Sequence, residues 1–371
     1  MTDLLVVVGA RPNFVKAAPI LAAAESAGID VALLHTNQHY DDSLSRVFFD
    51  DLDLPAPHVE LGIGSDSHAR QTARIMLGFE HELLRIDPQI VVVVGDVNST
   101  LACALVAAKE HYPVAHVEAG LRSFDERMPE EINRRLCDHV SHHLFTTSAD
   151  ADENLAREGV PAERVALVGN TMIDTLDRCL DAARERRVPW RLGLAREPYA
   201  VATLHRPENV DDPAVLTRLI AAIASVSRLL PVVLPLHPRT RERLEQQGLR
   251  ELATGVRTTA PLGYLDFLGL VADAGLVLTD SGGLQEETTA VGVPCLTLRE
   301  STERPVTVTA GTNTVVGTDP VRIVDAAKAA LERGGPAGSL PPLWDGHAAE
   351  RLVEHLTASL ERSVELAGTG S

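Results

Sequence analysis

Residues 4–20, "LLVVVGARPNFVKAAPI", run from an unbroken aliphatic stretch through Gly9 into a segment that carries Pro12 near a helix start. A short apolar run with no polar alternation reads as a strand covered on both faces, and proline is well tolerated in a helix's first turn. The same alternation of Val/Leu-rich runs with longer amphipathic segments recurs along the chain, which predicts parallel strands covered by helices. Strands are expected at 3–9, 31–36, 90–95, 113–117, 143–147 and 164–168. A second series is expected at 199–204, 231–236, 256–259, 275–279, 294–298 and 313–316. The fold class is therefore α/β, with two Rossmann-like doubly wound domains.

A chain of 371 residues exceeds what one core usually supports, so two domains of similar size fit its length. The first is expected over 1–170 and the second over 171–352, with "RERRVPWRLGLAREP" (184–198) as a linker-like stretch and the helical segment 353–371 closing the chain. A formal charge of −18 argues against nucleic acid as a partner, so any anionic ligand must be met by a local site. Cys103, Cys137, Cys179 and Cys295 lie far apart with no zinc or disulfide spacing. They fit a reducing cytoplasm, and neither a signal peptide nor a membrane-spanning run is read in the sequence.

Ligands of open α/β sheets bind past the carboxyl ends of the strands, so the residues that follow each strand are the candidates. Arg11 follows the first, Asp96 ends "VVVVGD", and Glu118 ends "VAHVE". In the second series His205 and Arg206 follow "AVATL", His237 follows "VVLPL", and Asp280 and Ser281 follow "LVLT". Each has a competing structural reading. Arg11 and Lys16 can flank a phosphate, or be a solvated arginine and a snorkelling lysine. The turn Ser281–Gly282–Gly283 can cradle a diphosphate on backbone N–H groups, although such turns are common in this fold. Glu287 can accept from ribose hydroxyls or serve the helix dipole.

"HVEAGLRSFDERMPEEINRRLCDH" (116–139) sets Glu118 and Glu130 at opposite ends of one loop, where both can reach a ligand with Asp96. Three carboxylates in one place cannot all ionise freely, so one pKa is expected to rise. Glu131 is read as a dipole-stabilising acid, with Asn133, Arg134 and Arg135 solvated. His205 is either held by backbone at a strand end or part of a leaving-group site with Arg206, Glu208 holding either cation. The histidines of "DHVSHHLF" are read as structural.

"GARPNFVKAAP", "TNQHYDD", "GDVNSTLA", the 116–139 stretch, "HRPENV", "PLHPRT", "DSGGLQEE" and "STERPVTVTAGTNTVVG" occur in the order and spacing of one family. The chain resembles the non-hydrolysing UDP-N-acetylglucosamine 2-epimerases over about residues 4–330. The resemblance implies a GT-B-like pair of domains facing across a cleft, a homodimer, and a last helix that returns to the first domain. It also implies Asp96, Glu118, Glu130 and His205 as catalytic residues. Arg11, Lys16, Arg206, His237, Ser281, Gly282, Gly283, Glu287 and Arg304 would hold UDP and sugar. Gln38, His39 and Arg74, together with Arg206, match an allosteric substrate site of some bacterial relatives. Asp41, which stands where those relatives often have Gln, and a shorter loop between Glu118 and Glu130 both weaken that match.

The reaction so implied is inversion at C2 of UDP-N-acetylglucosamine by anti elimination of UDP to 2-acetamidoglucal and syn re-addition. It needs no metal or redox cofactor, and the chain has no GxGxxG fingerprint. A hydrolysing epimerase that releases N-acetylmannosamine and UDP, or a GT-B glycosyltransferase, would share most of these motifs.

Overall fold

The computed structural model describes residues 2–38, 42–194, 197–249, 255–334 and 338–368. Among the described residues, thirteen strands form two sheets. The first holds β1 (Leu4–Val8), β2 (Val31–His35), β3 (Val59–Glu60), β4 (Ile90–Val94), β5 (Val114–Ala119), β6 (His143–Thr146) and β7 (Val165–Leu167), in the order β3-β2-β1-β4-β5-β6-β7. The second holds β8 (Ala200–Thr203), β9 (Val232–Pro235), β10 (Val256–Thr259), β11 (Leu276–Thr279), β12 (Cys295–Thr297) and β13 (Asn313–Val315), in the order β10-β9-β8-β11-β12-β13. Every pairing is parallel. Both sheets reverse strand order next to their own first strand, the doubly wound pattern that opens a crevice at the switch point.

All twelve expected strands are present. The unforeseen β3 is two residues long and pairs only through Val59 and Glu60, too short to leave a periodic signal. Leu4–Val8 and Ile90–Val94 are buried at every position, as a sheet covered on both faces requires. Contacts divide the chain into Met1–Asp177 with Pro342–Ser371, and Arg178–Pro341. The division thus falls inside the helix Thr171–Glu185 rather than at residue 170, and the closing segment joins the first unit from Pro342 rather than 353. No helix among the described residues is long and apolar enough to cross a membrane.

The closing segment is held by specific contacts. Trp344 is buried and donates from Nε1 to Thr147 O at 2.9 Å. Asp174, on the helix Thr171–Glu185, accepts from the backbone N–H of Ala348 at 3.1 Å and Ala349 at 2.7 Å. Those amides open the helix Ala348–Gly368, so Asp174 satisfies first-turn donors that the helix itself cannot. Leu352, Val353 and Leu356 are buried on the helix it starts.

Replacing Asp174 with alanine should cost about 1 kcal/mol, as loss of an N-cap does. Amide exchange should quicken over residues 348–360 more than in the second sheet; unchanged protection there would show that the cap does not hold the segment.

Candidate active site

In the first unit the chemistry gathers past β1, β4 and β5. Asn13 shapes the first turn: its Oδ1 accepts from Gly9 N at 3.1 Å and Ala10 N at 3.0 Å, and its Nδ2 donates to Val94 O at 2.9 Å. Gly95 follows at φ +70°, a left-handed conformation that suits glycine. A Cβ there would stand 3.4 Å from Glu118 Oε2 and 3.6 Å from Lys16 Nζ.

Glu118 departs from its strand. β5 shifts register between Val117 and Ala119, and Glu118 sits at that irregularity with φ +70°, uncommon for a side chain of its size. A bulge re-aims a side chain. The carboxylate of Glu118 meets the ammonium of Lys16, and both side chains are buried. Lys16, expected beside a phosphate, is thus a partner of a candidate catalytic acid. Breaking such a pair by removing one member is costly because it strands the other charge.

Asp96 accepts from Arg134 Nη2 at 2.5 Å, and its backbone carbonyl accepts from Asn133 Nδ2 at 2.9 Å. Arg134 also donates from Nη1 to Glu131 Oε2 at 2.8 Å. The expectation that Asn133 and Arg134 are solvated is overturned: both are buried, and only Arg135 is exposed. Glu131 does more than face the dipole. It accepts from Ser123 N at 2.8 Å, Ser123 Oγ at 3.0 Å and Phe124 N at 3.2 Å, so it fastens the loop leading from Glu118 to Glu130. Glu130 itself lies half-buried in the first turn of the helix Pro129–Val140. Arg11 opens the helix Arg11–Ser26 with its guanidinium 5.9 Å from the Phe48 ring centroid.

In the second unit His205 is oriented by Asp280, not by Glu208. Asp280 is fully buried; it accepts from His205 Nδ1 at 2.9 Å and from the backbone N–H of His205 and Arg206, each at 3.0 Å to Oδ2. Burial alone would raise its carboxyl, but the adjacent His205 imidazole and these donors hold it below the usual range. His205 itself is partly exposed. The His237 ring lies 6.2 Å from that of His205, and its Nδ1 accepts from Arg239 N at 3.3 Å.

Ser281 caps the helix Gly282–Val291, whose first amides belong to Gly282 and Gly283. Such amides have no partner within the helix and favour an anion. Beneath the turn, Glu303 meets Arg299 at 2.9 Å, Arg304 at 2.6 Å and Arg206 at 3.5 Å, and Arg304 also meets Glu286 at 2.7 Å. Three arginines thus meet two glutamates at this turn. A Cβ on Gly282 would come within 2.5 Å of Arg304 Nη1, so only glycine lets the turn pack on this cluster. Arg304, expected against the nucleotide, meets Glu286 and Glu303 and supports the turn. Glu287 is buried beside Tyr264; burial pushes its carboxyl up to about 7, with Glu286 adding to the rise and Tyr264 opposing it.

Of the three residues matched to an allosteric site, two are described, and Gln71, on the same helix as Arg74, donates from Nε2 to Gln38 O at 3.0 Å. Gln38 is buried, accepting from Ser99 N at 3.1 Å and Ser99 Oγ at 2.8 Å. Arg74 is exposed and meets Asp66 at 3.2 Å. His39 and Asp41 lie outside the described residues.

Comparison with known proteins places the chain in a family. A family model described as UDP-N-acetylglucosamine 2-epimerase matches residues 22–357. The UDP-N-acetylglucosamine 2-epimerase of Methanocaldococcus jannaschii is 41% identical over 95% of this chain and 98% of its own length. The UDP-2,3-diacetamido-2,3-dideoxy-D-glucuronate 2-epimerase of Pseudomonas aeruginosa is 42% identical over 95% of this chain and 99% of its own. Among solved structures, that of the M. jannaschii enzyme in complex with UDP-GlcNAc and UDP superposes with a TM-score of 0.90 at 40% identity, covering 96% of this chain and all of that one.

A folded Glu287 that keeps its proton up to about pH 7, against a reference value of 4.5, holds more protons than the unfolded chain between those limits. Its contribution therefore falls as pH rises from 4.5 to 7. Glu287→Gln should remove this loss, raising Tm relative to the parent at pH 8 but not at pH 4; equal Tm differences at both pH values would refute the assignment.

Proposed function

Given that the chain belongs to the UDP-N-acetylglucosamine 2-epimerase family, we propose that it inverts C2 of UDP-N-acetylglucosamine without hydrolysis, giving UDP-N-acetylmannosamine. The observation that carries this reading is Glu118, turned out of its strand at a bulge and paired with Lys16. UDP leaves C1 as a proton leaves C2, and after the 2-acetamidoglucal intermediate is reprotonated on the other face, UDP returns. Asp96, Glu118 and Glu130 serve proton transfer, as positioned acid/base groups do. Arg11, Arg206, His237, Ser281, Gly282, Gly283 and Glu287 engage the UDP part, and His205, held by Asp280, acts near the departing diphosphate. The free first-turn amides of the helix that Gly282 opens favour that anion. Arg304 acts through the turn it supports.

A second reading has a specific basis. The Pseudomonas aeruginosa relative is as similar as any reported above, and its substrate carries a C6 carboxylate and a second acetamido group at C3. The C2 chemistry would be unchanged, so substrate choice is decided by offering both UDP-sugars. A cytoplasmic setting suits four free thiols. A homodimer is supported by Leu77 and Leu84 exposed on the helix His68–Ile86, and by Ile132 and Leu136 exposed on the helix Pro129–Val140. Light scattering should then give twice the 39.9 kDa chain mass, and a monomer under assay conditions would remove this part of the proposal.

In deuterated water, NMR should show UDP-N-acetylmannosamine forming with UDP attached and deuterium entering C2 of both sugars. Free N-acetylmannosamine with UDP would mark a hydrolysing enzyme instead. Glu118→Gln should lower kcat by about 10²- to 10⁴-fold while UDP affinity holds; parallel losses of binding and turnover would deny it a role in proton transfer.

A further inference from the structure

Outside the groups assigned above lies a buried set of ionisable side chains that the reaction does not use directly. His116 on β5 and Asp138 in the helix Pro129–Val140 are both fully buried, with His116 Nδ1 2.7 Å from Asp138 Oδ1. The other ring nitrogen, Nε2, lies 2.8 Å from the carbonyl oxygen of Gly95. Asp138 Oδ2 meets Arg122 Nη1 at 2.7 Å and accepts from Gly120 N at 3.2 Å. Arg122 in turn donates from Nε and Nη2 to Glu158, at 2.8 and 2.7 Å.

A carbonyl oxygen only accepts, so Nε2 carries a hydrogen. Asp138, gripped by Arg122 and a backbone N–H, accepts at Nδ1. Both ring nitrogens therefore donate. We propose that His116 is a permanently charged imidazolium whose function is to position Asp96, Glu118 and Glu130 together. The proposal rests on the epimerase reading for what these carboxylates do, but not for the charge.

With His116 cationic, the two fully buried groups His116 and Asp138 pair as opposite charges, and Arg122 pairs with half-buried Glu158. Cys137 also lies beside the ring, and Arg135 and His139 approach Glu158 at 3.9 Å from the solvent side. Burial opposes the ring's charge, but Cys137 and Asp138 outweigh it and the pKa stands well above the ordinary histidine value.

The pair reaches each carboxylate through backbone. Gly95, which precedes Asp96, is held from both sides: its N–H donates to Val117 O at 3.0 Å and its carbonyl accepts from His116. Gly120, two residues past Glu118, donates to Asp138. Asp138 lies on the helix whose first turn carries Glu130. Two side chains thus tie the three elements that bear the carboxylates. Neither reaches solvent, and His116 is a positioning residue.

Nitrogen-15 NMR of the wild-type protein, with His116 assigned through the backbone, should show both ring nitrogens protonated from pH 6 to pH 9. A neutral ring at pH 7 overturns the proposal whatever the activity. In folded His116→Gln and Asp138→Asn variants, kcat on the UDP-sugar the wild type turns over should fall by about 10²-fold, the cost of a small misplacement of reacting groups. UDP affinity should be unchanged, because the nucleotide anchor lies in other residues. A purely structural role would lower the yield or Tm of folded protein and leave kcat per folded site intact, and that result would refute the positioning role. Should His116→Gln fail to fold, Asp138→Asn keeps the shape and decides. A wild type inactive on every UDP-sugar would sink the epimerase reading while the NMR result still stands.

Discussion

A parallel strand buried on both faces can show a polar group to water only past its last residue. Leu4–Val8, Ile90–Val94 and Leu276–Thr279 offer no exposed position along their lengths, so the chain's chemistry is driven to the turns that follow them. Gly9 to Lys16 and Asp96 flank the switch point of the first sheet; His205 and Asp280 to Gly283 flank that of the second. Two equally wound sheets therefore collect two sets of functional residues by the same rule, and the sets differ only in what each turn spells.

Charges collected at such edges are largely removed from water, and that is affordable only when they are paired. The first unit pairs nearly one to one: Lys16 with Glu118, Arg134 with Asp96 and Glu131, and His116 and Arg122 with Asp138 and Glu158. The second unit gathers three arginines on Glu303 and Glu286, and the amides of the Gly282 turn lie above them. The first arrangement holds carboxylates in place, and the second packs a glycine turn, with its helix-opening amides, on an arginine cluster.

The strands were legible because an aliphatic run ending in a turn is a local property. Asp96, Glu118 and His205 stand out as candidates because position past a strand is also local. What could not be read was who pairs with whom. Arg134 in "NRRL" looks like any helix-surface arginine, and only the fold turns it inward to Asp96. Glu208 is close to His205 in sequence, yet Asp280, 75 residues on, holds the ring because β8 and β11 are neighbours in the sheet. Likewise the bulge that turns Glu118 appears only once β5 is paired with β6. Glu303 and His116 carried no signal of their own, although both lie in stretches that the family resemblance had marked.

On the elimination proposed above, expelling a diphosphate and moving a proton make opposite electrostatic demands. A cation excess stabilises the leaving anion but, placed among carboxylates, would weaken them as bases. One cluster cannot be tuned for both. Gathering arginines beneath the Gly282 turn, and pairing Lys16 and Arg134 with acids beside the candidate carboxylates, lets each set be tuned alone. The His116–Asp138–Arg122–Glu158 network extends the same logic. It adds rigidity beneath the carboxylates while keeping its own buried charges paired.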